Sequence, residues 1–131
     1  MNLKNNFVNT KNAMENGRWV NLYGIDFKIA YYANKDLLNF VREKQKETGI
    51  INPAEFPEKI ICEMISCYIV KDWRGLKEGY KNIKYTPEMS KKLFFEKENG
   101  VYIYMDLMTE ILELSADKKE FYVIDKEIVK K

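Results

Sequence analysis

The stretch from Ile60 to Ile69 constrains this chain more than any other. Ile60, Ile61, Met64, Ile65, Tyr68 and Ile69 fall at i, i+1, i+4, i+5, i+8 and i+9, the spacing of a helix with a broad apolar face. So wide an apolar arc has to be covered from more than one side, which makes this the central helix. Its start is signalled by Asn52 as cap, Pro53 at the first helical position and Glu55 in the first turn. Pro57 is still early enough to be tolerated, or the helix begins one turn later. The helix is expected to end near Trp73, before Gly75. A chain of 131 residues, 46% hydrophobic and 32% charged, holds one domain with a real core and a soluble surface.

What wraps the central helix is read from the remaining pattern. Residues 1–16 are rich in Asn and Lys without a clean period and are expected to be a flexible arm. Ile25, Phe27 and Ile29 alternate with Asp26 and Lys28, the period of a half-buried strand. Trp19 to Tyr23 can pair with it across Gly24 as a small hairpin, which must pack on something to persist. Asn34 caps a helix through Leu37, Phe40 and Val41 that stops at Gly49. Gly75 to Lys84 reads as a loop. Thr86-Pro87-Glu88 starts a third helix with Met89, Leu93 and Phe94 on its buried side, broken by Asn99-Gly100. A fourth carries Val101, Tyr104, Met105, Met108, Ile111 and Leu112. Ser115 or Asp117 ends it and caps a last amphipathic stretch with Phe121, Ile124 and Ile128. The prediction is a mainly α domain over residues 17–131, of four to five helices with a small N-terminal β-hairpin.

Composition excludes much chemistry. The chain has no histidine, hence no histidine triad and no imidazole base or metal ligand. Cys62 and Cys67 lie five apart, roughly 7.5 Å of helical rise, too far to bridge without breaking the helix. They are expected to be reduced core thiols. Two cysteines without histidine make a poor zinc set, and no glycine-rich phosphate cradle is present. The net charge of +2 supplies no global field toward nucleic acid or membrane. Lys4, Lys11 and Arg18 with Trp19 and Tyr23 make at most a modest basic-aromatic patch. No apolar run approaches the ~20 residues of a spanning helix. The expectation is a non-enzymatic protein of a cytosolic setting, without catalytic residues, cofactor or metal.

Later in the chain the residues run Ile69-Val70-Lys71-Asp72-Trp73-Arg74-Gly75-Leu76, then Ile83-Lys84-Tyr85-Thr86-Pro87-Glu88. They close with Ile111 to Leu114 and Ser115-Ala116-Asp117-Lys118-Lys119-Glu120-Phe121. Over about half its length the chain resembles the tail assembly chaperones of long-tailed bacteriophages and prophages. There a helix ends in an acidic-Trp-x-Gly-Leu/Val turn, matched by Asp72, Trp73, Gly75 and Leu76. A polar loop leads to a Tyr/Phe-Ser/Thr-x-Glu helix start, matched by Tyr85, Thr86 and Glu88. The resemblance implies a protein that binds the tape measure protein, a long and largely helical chain. It keeps that client soluble until the tail tube polymerises around it, is then displaced, and is absent from the mature virion.

A helical client needs a surface that can repack around it, and methionine-rich faces do this well. Met89, Met105 and Met108 cluster on the third and fourth helices, although gap-filling in the core is methionine's commoner use. Asp106, Glu110, Glu113 and Asp117 recur at four, three and four, with no Lys or Arg between Gly100 and Ala116 to offset them. Such a stripe is either a solvated face or a dock for a basic segment. Trp73 plugs the core edge or anchors a partner, and Leu76 follows it in the turn. These nine residues are the candidate partner surface, read in a helix-in-groove mode. A homo-oligomer is compatible with the composition. The rival reading is a small regulatory or inhibitory protein carried by a mobile element, acting on a host protein or nucleic acid.

Overall fold

The computed structural model describes residues 2–123; Ile124 and Ile128 of the expected closing stretch lie outside them. The arm expected over residues 1–16 is instead a helix, α1 (Leu3–Asn16), with the Asn2 side chain accepting from Asn5 N at 3.2 Å. That cap starts a run whose many asparagines mask its helical spacing. Backbone bonds hold it to the body: Tyr31 N donates to Met14 O at 2.8 Å, and Val123 N to the Thr10 hydroxyl at 3.0 Å. Yet none of its residues is buried.

Gly17 turns the chain into the predicted hairpin, β1 (Arg18–Leu22) and β2 (Ile25–Ile29). Tyr23 and Gly24 join the strands with φ of 56° and 79°, the two-residue turn with both φ positive that matches strand twist. The hairpin is secured from an unexpected quarter. The central helix does not reach Trp73. After a 3₁₀ turn (Pro53–Glu55) it runs as α3 (Glu58–Glu63), widens into a π-helical segment (Met64–Ile69) and becomes a strand, β3 (Val70–Arg74). β3 pairs antiparallel with β2, Phe27 opposite Trp73, giving a sheet of order β1-β2-β3. Trp73 stands four residues after Ile69, so the helical period ran on through the strand.

α2 (Lys35–Thr48) begins at Asn34 and ends at a left-handed Gly49, as predicted. The expected loop after Gly75 contains a short hairpin, β4 (Lys77–Glu78) and β5 (Lys81–Asn82). Thr86 caps α4 (Pro87–Phe94) by accepting from Met89 N at 3.0 Å. Asn99-Gly100 is not a break between helices but the turn of another hairpin, β6 (Lys97–Glu98) and β7 (Val101–Tyr102). The last helix, α5 (Met105–Ala116), therefore starts four residues later than Val101, and the chain then makes a 3₁₀ turn (Lys118–Phe121). The described residues form one mainly helical domain with an N-terminal hairpin, the predicted class.

The core gathers on the π-helical segment. Phe27, Ile69, Phe94 and Ile111 are fully buried, from β2, the segment, α4 and α5, each contributing about 1.5–3 kcal/mol by leaving water. A helix end leaves carbonyls without partners in their own helix, and here the end is buried. Neighbouring elements supply the donors. The Ser90 hydroxyl donates to Ser66 O (2.6 Å), Asn34 Nδ2 to Tyr68 O (3.1 Å) and Ala30 N to Ile69 O (2.8 Å). The Tyr85 hydroxyl reaches Val70 O at 3.1 Å. Among the described residues no buried side-chain nitrogen or oxygen lacks a partner.

Candidate functional site

The structure distributes the nine sequence-predicted residues over separate places. Trp73 is 4% exposed; its indole N–H donates to Ile83 O at 2.8 Å and its ring meets Tyr85 edge-on at 5.1 Å. Of its two readings, the core plug is the one its burial allows. Leu76 is half-buried and packs on the same core. Met108 is buried and, with Met105, Ile61, Ile65 and Leu112, lines a cleft of about 150 Å³ between α5 and the α3–π-helical segment. Met89 does not join them. It lines a recess of about 510 Å³ with Ile83 and residues of the β4–β5 hairpin. The methionine cluster is therefore divided: Met105 and Met108 share one cleft and Met89 lies in another.

The acidic stripe is partly assembled. Asp106 and Glu113 are exposed on α5, and Glu110 is half-buried. Glu110 faces the phenol of Tyr23 at the β1–β2 turn, and its carboxylate raises the Tyr23 pKa by holding the phenolic proton, with Asp106 adding to the effect. Asp117 leaves the stripe. Its backbone is extended beyond the end of α5, and its side chain accepts from Lys119 N at 3.1 Å to start the 3₁₀ turn.

Part of the basic-aromatic patch, Arg18 and Trp19, is drawn into internal pairs. Arg18 forms an ion pair with Glu120, and the Arg74 guanidinium lies 3.8 Å from the centre of the Trp19 ring. Cys62 and Cys67 are free, Cys62 buried and Cys67 half-buried. The Cys62 thiol donates to Phe94 O at 3.2 Å, and burial pushes its pKa up to about 12, so it carries no thiolate near neutral pH. Among the described residues no group of three or more Cys, Asp or Glu is placed to hold a metal, and no helix is long and apolar enough to cross a membrane.

A wide apolar recess lies where only an arm is expected. Leu3, Phe7 and Met14 form one wall along α1, and Tyr122 and Val123 form the other, around a groove of about 560 Å³. Phe7 and Leu3 are 62% and 56% exposed, and Tyr122 is 53% exposed, an unusual display of large apolar groups on one patch. The signal was present in the sequence: positions 3, 7 and 14 share a helical face. The polar asparagines between them concealed it.

The fold and these surfaces define a small helical domain with one long apolar groove and one acidic helix edge. The model of the YdaY prophage protein family matches residues 28–131, and the chain belongs to that family. The match begins within β2, so α1 and β1 precede it. No curated protein and no solved structure matches the chain.

Proposed function

We propose that this prophage protein is a tail assembly chaperone, a non-enzymatic binder that keeps the tape measure protein soluble in the host cytoplasm until the tube assembles. The observation that carries this reading is the groove walled by Leu3, Phe7, Met14, Tyr122 and Val123. A holdase works by covering the apolar stripe of another chain, and an exposed groove along a helix suits a helical client. Membership of a prophage family and the resemblance of Asp72-Trp73-Arg74-Gly75-Leu76 and Tyr85-Thr86-Pro87-Glu88 to the chaperone pattern support it. Trp73, Gly75, Leu76 and Thr86 then serve as plug, turn and cap, and the client surface is α1.

Co-expression with the tape measure protein of the same prophage tests this. The long chain is expected in the soluble fraction only when its chaperone is present, and the two are expected to co-purify. A tape measure protein equally insoluble with and without this chain overturns the reading. Co-purification of a host enzyme instead favours the inhibitory binding protein.

A further inference from the structure

We infer that the α1 groove takes an amphipathic helix whose apolar stripe is flanked by acidic residues. This deepens the chaperone reading and rests on it, since it names the chemistry of the client segment. Three observations converge. First, α1 is 14 residues long with none buried, and a helix of that length is marginal in water without packing. An apolar wall therefore stands ready on a helix that gains stability from being covered. Second, Leu3 to Met14 spans about 16 Å of helical rise. The groove's apolar residues follow that axis at helical spacing, the arrangement into which a second helix lays its own stripe. Third, the charged residues lining the groove, among those described, are Lys11 on α1 and Lys118 opposite it. Cations on both walls favour a segment carrying Glu or Asp beside its apolar stripe and disfavour one carrying Lys or Arg. The polarity is opposite to that of the α5 edge with Asp106, Glu110 and Glu113, so a basic client segment has no reason to choose this groove.

The test uses the full chain and two labelled synthetic peptides of about 18 residues, five helical turns. Both have the same leucine stripe; one is flanked by Glu, the other by Lys. In low salt the Glu-flanked peptide is expected to bind at least about tenfold more tightly, the margin shrinking at high salt as the charges are screened. The double variant Lys11→Glu/Lys118→Glu should reverse the preference while its circular dichroism and thermal transition stay those of the parent. Phe7→Asp should abolish binding of both peptides. Equal affinity for the two, or none for either, overturns the inference. So does a concentration-dependent dimer that Phe7→Asp dissolves, which makes a second copy the occupant. Peptide binding that appears only after deletion of residues 124–131 makes the chain's own end the occupant and likewise overturns it. A chain that fails with the peptides yet still keeps the tape measure protein soluble loses this inference and retains the chaperone reading.

Discussion

Ser90 is fully buried, and its hydroxyl has one task, to satisfy Ser66 O at the end of the π-helical segment. Ser90→Ala leaves that carbonyl buried and less well satisfied, and the expected loss is about 1–3 kcal/mol, read as a lower urea midpoint at unchanged slope. Asn34→Ala should cost more than Ser90→Ala. Asn34 both caps α2 at Leu37 N and donates to Tyr31 O and Tyr68 O, and a lost cap alone is worth about 1 kcal/mol. The cap was legible in the sequence because it is local. The bond to Tyr68 O was not, because 34 positions separate the two residues. A second prediction concerns alkaline pH. Burial raises Cys62 from 9.0 and Tyr85 from 10.0, each to about 12. Both hold their protons more tightly in the folded chain than in the unfolded one. The stability they confer is whole below their unfolded values and is lost as pH rises toward the folded ones. The urea midpoint should therefore fall between about pH 9 and about pH 12, and fall less in Cys62→Ala and Tyr85→Phe.

Elements declared by their own ends were readable: Asn34 and Gly49 bracket α2, and Thr86-Pro87 opens α4. Elements that exist because of distant partners were not. β3 has no clean alternation of its own, with Val70 and Trp73 buried three apart, and it is a strand because β2 offers an edge. β6 and β7 are two residues each, too short for any period to register. The groove shared this fate, since α1 announces itself only through Leu3, Phe7 and Met14 among polar neighbours. The joint between α1 and β1 yields the third prediction. Gly17 has φ 99° and ψ 164°, a region open essentially to glycine, and an added Cβ would lie 3.1 Å from the Ile29 backbone. Gly17→Ala should cost about 1–3 kcal/mol. Gly24→Ala, where a Cβ meets nothing within 4 Å, bears only the conformational part. Thermal unfolding of the two variants side by side separates them.

For the molecule as a whole, the contrast between a dense centre and a lightly held flank sets the pattern of motion. α1 has no buried residue, whereas Ile65, Ser66, Ile69, Val70 and Trp73 all are buried. Local opening costs least where few apolar contacts must break. Hydrogen exchange should show the amides of α1 exchanging orders of magnitude faster than those of residues 65–73, and the difference should narrow when a groove ligand is bound. Equal protection of both would mean that α1 belongs to the cooperative core. The sheet order has a further consequence for synthesis. β1 and β2 leave the ribosome while residues 30–69 are still to come, and a two-strand ribbon alone is marginal. The nascent hairpin must wait for β3, so a translational pause before Val70–Arg74 has emerged prolongs the exposure of Phe27 and Ile29, whereas one after its emergence leaves β2 free to pair.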